Sequence, residues 1–363
     1  MQAFIKSAGW SGAELHPLAG DASTRRYVRL ARRGHTAMLM DQPRGAETAA
    51  CPPGASEAER RALGYNAMAR LAGPDCRPFA GVATFLRGHG LSAPEILAHD
   101  YDAGFLLIED MGDGRFADLI STGTAERPLY ETAIDALARL HTVPAPQILR
   151  VPGAADVHLL SYDAVVMEAE ALLLADWFFP AASGGPLAAD AREAFVTAWR
   201  AALAQLKVSA PVMILRDYHA ENLMWLDERK GLARAGLLDF QDALSGSPAY
   251  DLISLTEDAR REVSVELARA MTERYIALRR SAEPTFDEDA FRFAAALLAA
   301  QRNTKIVGIF SRLWKRDGKP RYTQYLPRMW GYLDRDLAHP ALSPLKSWFD
   351  RNIPREWRGT LGN

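Results

Sequence analysis

The chain is poor in everything that would point to a membrane, a nucleic acid or a disulfide scaffold. Two of its 363 residues are cysteine. Cys51 and Cys76 lie in proline-rich surroundings, with no C-x-x-C pair and no metal-ligand spacing. That excludes a disulfide framework and predicts a reduced, cytoplasmic protein with incidental thiols. Charge of one sign is lacking too. Against 43 Lys and Arg stand 45 Asp and Glu, so no broad field draws the chain to nucleic acid or anionic lipid. No uninterrupted apolar run nears the roughly 18 residues that a membrane helix needs. The opening MQAFIKSAGW has no charged segment leading into a long apolar one, so no secretory leader is expected. Repeats and low-complexity tracts are missing as well. The expected partners include neither nucleic acid nor membrane.

What is present is an ordinary globular composition, 48% apolar and 24% charged, on a chain longer than one small core usually serves. Two lobes are therefore expected. The first hundred residues are strand-rich: ELHPLAG, RRYVRLA and TAMLMDQP are short and separated by turn residues, as in a hairpin meander. The stretch 56–73 begins with a serine cap and an acidic turn and ends at Gly73-Pro74, predicting one helix, and 77–90 predicts a second. PEILAHD and GFLLIED form a second hairpin, and MGDGRFADLI marks a joint. Beyond it, apolar residues recur at helical spacing. Helices are expected near 128–143, 162–179, 189–208, 249–258, 262–281, 286–316 (broken within) and 322–338. Three short strands, PVMIL, NLMWL and AGLLDF, interrupt them. The expected domains are a small lobe over 1–111, with a hinge at about 107–113, and a helical lobe over 112–363.

The chemistry concentrates in LRDYHAENLMWL (215–226) and GLLDFQDA (236–243). Asp217 follows a strand, Asn222 begins the next, and Asp239 ends another. A lone Asp at a strand end is ordinarily a turn or cap residue. Three oxygen-bearing side chains at three strand ends can instead meet at one point. One carboxylate and one amide suffice for Mg²⁺ when nucleotide phosphates complete its shell. The remaining carboxylate can orient a hydroxyl and take its proton, which is the division of labour in phosphoryl transfer.

D-x-x-x-x-N followed by an apolar strand ending in Asp-Phe resembles the catalytic and metal-binding motifs of the protein-kinase fold. The His two residues after Asp217, and AYDL downstream, are similar to the aminoglycoside phosphotransferase and choline kinase-like family. The strings GDASTRRYVRL, AMLMDQP, DYHAENLMWL, GLLDFQDALSGSPAYDLISLTEDARR and QRNTKIVGIFSRLWKRDGKPRY resemble most nearly the bacterial anomeric kinases of N-acetylmuramate and N-acetylglucosamine. The resemblance implies an α+β, bilobal protein-kinase-like fold. The implied activity is ATP- and Mg²⁺-dependent phosphorylation of the anomeric hydroxyl, giving a sugar 1-phosphate for peptidoglycan recycling. The alternatives are a kinase of an aminoglycoside or amino alcohol, and a nucleotide-binding pseudokinase module.

By the same resemblance Asp217 is the catalytic residue, Asn222 and Asp239 are the metal ligands, and Asp251 ties the catalytic loop down. Ser23, Thr24 and Arg26 are expected at the nucleotide phosphates, and the backbones of Glu109 and Met111 at the adenine, with Ile108 behind them. His219, Glu221, Gln241, Arg302 and Lys305 are the candidate sugar contacts, each with a plain alternative as a loop-stabilising or solvated group. Trp314, Trp330, Tyr322 and Tyr325 could stack on a sugar but at helical spacing read as core. One departure stands out. Where the family carries a Lys on the third strand, this chain has Met40, then Asp41. Glu59 accordingly has no lysine to pair with and reads as a helix charge. Arg25, Arg26 and Arg29 supply cations next door, and alternation puts Arg25 and Arg29 on one face and Arg26 on the other.

Overall fold

The structure, a computed structural model, describes residues 1–19, 25–43, 48–359 and 361. After a short helix α1 (Gln2–Ser7) the chain builds an antiparallel sheet from β1 (Glu14–Pro17), β2 (Arg26–Arg32), β3 (His35–Asp41), β4 (Ile96–Asp100) and β5 (Phe105–Glu109), in the order β1-β2-β3-β5-β4. Arg33 and Gly34, at φ 50 and 78, close the β2–β3 hairpin. A two-residue turn with both φ positive matches the strands' twist, and it holds the register from Arg32↔His35 to Arg26↔Asp41. That register sorts the side chains. Val28, Leu30, Ala37, Leu39 and Leu107 pack with Phe4 and Ile5 of α1. Met40, Leu106 and Ile108 join the main core with Phe79, Ala80 and Ala83.

Between β3 and β4 lie α2 (Glu57–Leu63), α3 (Tyr65–Met68) and α4 (Arg77–Gly88). The single helix expected over 56–73 is thus two. Gly64, at φ 97, turns the chain between them. Arg60, 2% exposed, then bonds the Met68 carbonyl at 2.7 Å and Asp163 at 2.8 Å. Glu59 serves the Ser56 capping box at the start of α2.

The rest is mainly helical: α5 (Phe116–Ser121), α6 (Glu126–Leu140), a small pair β6 (Ile148–Leu149) and β7 (Val157–His158), then α7 (Ala164–Leu173), which runs through a π-helical turn, Leu174–Phe178, into α8 (Phe179–Ser183), and α9 (Ala189–Leu203). Two antiparallel strand pairs follow. β8 (Val212–Ile214) pairs with β11 (Leu244–Gly246), and β9 (Leu223–Trp225) with β10 (Ala235–Leu237). The chain ends with α10 (Ala249–Thr256), α11 (Val265–Ala282), α12 (Glu288–Lys315), α13 (Leu326–Asp336) and α14 (Ser343–Asn352). Strand β11 and helix α14 carry no pattern that marked them in advance. Among the described residues no helix is long and apolar enough to cross a membrane. Cys51 and Cys76 are both buried as free thiols.

The break expected within 286–316 is absent, since α12 is one helix of 28 residues. Its central polar residues are not solvated but sunk into the lobe, each met by a partner. Gln301 donates to the Met167 carbonyl at 3.1 Å and to Glu170 at 3.2 Å. Asn303 donates to Glu257 at 2.6 Å and to Asp336 at 2.8 Å. Lys305 reaches Glu170 and the Tyr250 hydroxyl, both at 3.1 Å. Gly308 lets α12 approach α7 closely, because a Cβ there would lie 2.3 Å from the Leu173 carbonyl carbon. Trp330 and Tyr322 are core residues, 1% and 3% exposed.

Two outcomes follow. Gly308→Ala must push α7 and α12 apart, costing about 1–3 kcal/mol as overpacking does, to be read from urea unfolding. The second concerns Asp336. Burial, and the neighbouring Glu257 carboxylate, hold its carboxyl well above the ordinary range. The native state therefore keeps a proton that the unfolded chain gives up, and the associated stability fades as pH rises through the raised value. Asp336→Asn mimics the protonated form. It should match the wild type in urea midpoint below about pH 4, where the unfolded carboxyl is also protonated, and exceed it increasingly as pH rises above that.

Candidate active site

The site is built on the turn that follows β8. The Asp217 N–H bonds the Leu215 carbonyl at 2.9 Å, which closes a tight turn centred on Arg216 at φ 70. A non-glycine residue resists that conformation, so something must hold it. Asp251, at the start of α10 and fully buried, accepts the Leu215 N–H at 2.6 Å and the Arg216 N–H at 2.8 Å, one on each carboxylate oxygen. Burial pushes its carboxyl up to about 7 against the pull of those two donors. Ser254 bonds the Arg216 carbonyl at 3.1 Å. The Arg216 guanidinium pairs with Glu170 inside the lobe.

Asp217 leaves this turn half-buried. Asn222 donates its amide to the Asp217 carbonyl at 3.0 Å, leaving its oxygen as the atom to offer a cation. His219 Nε2 lies 3.3 Å from both Asn222 Nδ2 and Arg260. An arginine can only donate, so Nε2 accepts and Nδ1 carries the proton. Burial holds this imidazole below its ordinary range, in keeping with a neutral ring. Among the described residues Nδ1 finds no partner, although His219 is only 5% exposed. Glu221 turns away to Arg260 at 3.1 Å. Burial raises the Asp217 pKa, but Lys305, His219, Arg216 and Arg302 more than reverse this, leaving it below the ordinary carboxylate range.

Asp239 arrives from the other side. The β9–β10 pair extends through the Leu238 N–H to the Asn222 carbonyl at 3.0 Å, which sets Asp239 beside Asn222. Its φ of 57 is again left-handed, and the next residue, Phe240, stacks on Phe79 of α4 with ring centres 4.8 Å apart. Burial, Asp217 and Asp242 raise its pKa, while Arg25 opposes them. Arg25 lies 3.1 Å from Asp239 Oδ1, and Gln241 donates to the same oxygen at 3.1 Å. Gln241 also reaches Asp242, whose other oxygen accepts the Ala72 N–H at 2.6 Å. Among the described residues Oδ2 of Asp239 takes no hydrogen bond and no group of three His, Cys, Asp or Glu side chains could hold a metal. A donor set of one carboxylate and one oriented amide fits a magnesium ion that phosphate oxygens complete.

Three expected contacts stand elsewhere. Arg26 is two-thirds exposed and paired across the hairpin with Asp41 at 2.7 Å, so Arg25 is the arginine that enters the cleft. Arg302, 4% exposed, bonds Ser254 at 2.9 Å and the Glu257 carbonyl at 3.2 Å. It braces the turn at Arg216 through Ser254, with both of these bonds made inside the lobe. Glu221 is engaged by Arg260, as above. Lys305 is 11% exposed and leads the cations that act on Asp217. Ser23 and Thr24 lie outside the described residues.

Between the lobes, Glu109 ends β5 with its N–H on the Glu95 carbonyl at 2.9 Å and its carboxylate shared by Arg87 and Arg229. Met111 follows, 8% exposed, and Ile108 is buried. Arg29, a candidate cation for the phosphates by sequence, is engaged elsewhere. It clamps this segment from β2, with Asp110 at 2.7 Å, Asp113 at 2.8 Å and the Gly112 carbonyl at 3.1 Å. Its place on the Arg25 face was the available signal.

Residues 14–293 match the family described as "Phosphotransferase enzyme family". The chain is 46% identical, over 98% of its own length and 96% of the other's, to an N-acetylmuramate/N-acetylglucosamine kinase of Caulobacter vibrioides. It is 33% identical, over 93% and 89%, to a protein of the same name from Pseudomonas aeruginosa. Among solved structures, a choline/ethanolamine kinase family protein from Mesorhizobium loti superposes with TM-score 0.55 at 16% identity, over 95% of both chains. The GDP complex of aminoglycoside 2'-phosphotransferase-IIIa does so with TM-score 0.54 at 13% identity, over 93% of this chain and 97% of that one. These similarities extend the two-lobed kinase-like fold over nearly the whole chain.

The hold of Asp251 on the turn has a measurable consequence. Asp251→Ala leaves two buried N–H groups unpaired, which costs about 1–3 kcal/mol each. The variant should lose turnover far more than nucleotide affinity, as steady-state rates and calorimetry would register.

Proposed function

The chain belongs to the phosphotransferase enzyme family, and from that premise we propose that it transfers the γ-phosphoryl group of ATP to the anomeric hydroxyl of N-acetylmuramate or N-acetylglucosamine. The product would be the sugar 1-phosphate, for return to cell-wall synthesis. The observation that carries this reading is the adjacency of Asp217, Asn222 and Asp239, with Asp217 held below the ordinary carboxylate range by the cations around it.

Asn222 and Asp239 would hold Mg²⁺, which when bound neutralises charge on the transferring phosphate. Asp217 accepts the sugar hydroxyl's hydrogen bond and its proton. An anomeric hydroxyl is more acidic than an ordinary alcohol, so a carboxylate of depressed pKa suffices, and orientation supplies most of the gain. The His219 Nδ1 proton is a buried donor available to a sugar oxygen. Lys305 and the other cations near Asp217 favour a neutral or anionic acceptor over a polycationic aminoglycoside, and the lactyl carboxylate of N-acetylmuramate would complement Lys305. Glu109 and Met111 would meet the adenine, and Ser23 and Thr24 the phosphates.

Asp217→Asn keeps the shape and removes the base. It should lower kcat at least about a hundredfold, the scale of general-base catalysis, with ADP affinity nearly unchanged. Phosphorus NMR of the wild-type product decides the position. A 1-phosphate couples to the single anomeric proton, whereas a 6-phosphate couples to a methylene pair. Wild-type protein that binds ATP and phosphorylates none of these sugars would defeat the reading.

A further inference from the structure

The cleft is crowded with negative charge before a nucleotide arrives. Asp217 and Asp242 both act on the Asp239 carboxyl there, and a triphosphate adds more negative charge. Phosphate taken into such a site without a cation is costly. Strand β3 supplies none. Met40 is 1% exposed in the core, and Asp41 is occupied with Arg26. The hairpin register places Tyr27 opposite Met40 and Arg29 opposite Met38, so the face that holds Met40 also carries Arg29 and, one step before Tyr27, Arg25. Arg29 is taken up by the interlobe segment. Arg25, 12% exposed, instead sets its guanidinium 3.1 Å from Asp239 Oδ1.

The partner of Arg25 gives its role away. Asp239 is the carboxylate that would hold the metal ion. A divalent cation and a guanidinium carry the same sign and compete for one carboxylate. We propose that Arg25 is an exchangeable counter-charge: it neutralises Asp239 in the empty cleft, then moves to the nucleotide phosphates when the metal–nucleotide complex takes that carboxylate. Arg25 precedes β2 and lies outside its ladder, so its backbone is not fixed by strand pairing, and a long side chain can swing from one anion to a neighbouring one. A guanidinium grips phosphate oxygens with a planar fork. This assignment rests on the kinase reading above.

The exchange makes two affinities move in opposite directions, which a purely structural role does not. Nucleotide-free protein would be titrated with Mn²⁺ by electron paramagnetic resonance, and with ADP and adenosine by calorimetry in the presence of Mg²⁺. Arg25→Gln and Arg25→Lys would be compared with the wild type and with Arg26→Ala, all at matched circular dichroism. Arg25→Gln should bind Mn²⁺ several-fold more tightly and ADP about tenfold or more weakly, the scale of one lost charged hydrogen-bond pair, with adenosine unchanged. Arg25→Lys should fall between, and Arg26→Ala should match the wild type. Unchanged ADP affinity in Arg25→Gln, an equal loss for ADP and adenosine, or weaker Mn²⁺ binding overturns the assignment while the kinase reading stands. Wild-type protein that binds no nucleotide overturns both.

Discussion

One buried carboxylate carries the rest of this structure. Asp251 grips two consecutive backbone N–H groups and so keeps Arg216 in a conformation that a side-chain-bearing residue avoids. Release it, and the turn relaxes, and Asp217 no longer faces Asn222 and Asp239. The strain at φ 70 in Arg216, and at φ 57 in Asp239, lies where the chemistry is, as strain held by surrounding structure tends to. The carboxylate is itself surrounded. His141 lies 4.0 Å away, its other nitrogen on the Tyr275 hydroxyl at 2.7 Å, so α6 and α11 stand behind the grip of α10.

Behind that turn runs a second layer of polar contacts. Glu170 receives Arg216, Lys305, Tyr162 and Gln301, and Arg302 reaches the Arg216 carbonyl through Ser254. Burying so many charges is affordable only because nearly all are met. The return is electrostatic. The positive ends of this layer lie close enough to Asp217 to keep it ionised. The close approach at Gly308 serves the same end, since it brings Lys305, one turn earlier, within reach of Glu170 on α7.

Much of this was legible in the residues, and the failures have physical causes. The strand meander, the helical second half and the Asp217, Asn222 and Asp239 set are short-range patterns, carried by turn residues, periodicity and spacing within a few dozen positions. The unbroken α12 was not legible. Gln301, Arg302, Asn303 and Lys305 look solvated until Glu170, Ser254, Glu257 and Asp336, all remote in the chain, are folded around them. Alternation separated Arg25 from Arg26, but only the sheet's packing on α1 says which face looks outward. Strand β11 is three residues long and is defined by its partner β8, not by its own composition. Sequence periodicity reports an element's environment only where that environment is uniform, and the functional layer of this lobe is not.

The two cysteines, incidental to the chemistry, make the molecule its own reporter. Cys76 is 2% exposed among the residues that seat α4 against the helical lobe, and Cys51 is 7% exposed on the chain that leads into α2. A thiol reagent reaches such groups only when their surroundings open. The rate at which a dye labels the unmodified chain therefore counts openings around these two thiols. Comparing that rate with and without ligands would show how far binding suppresses those openings, with no engineered label.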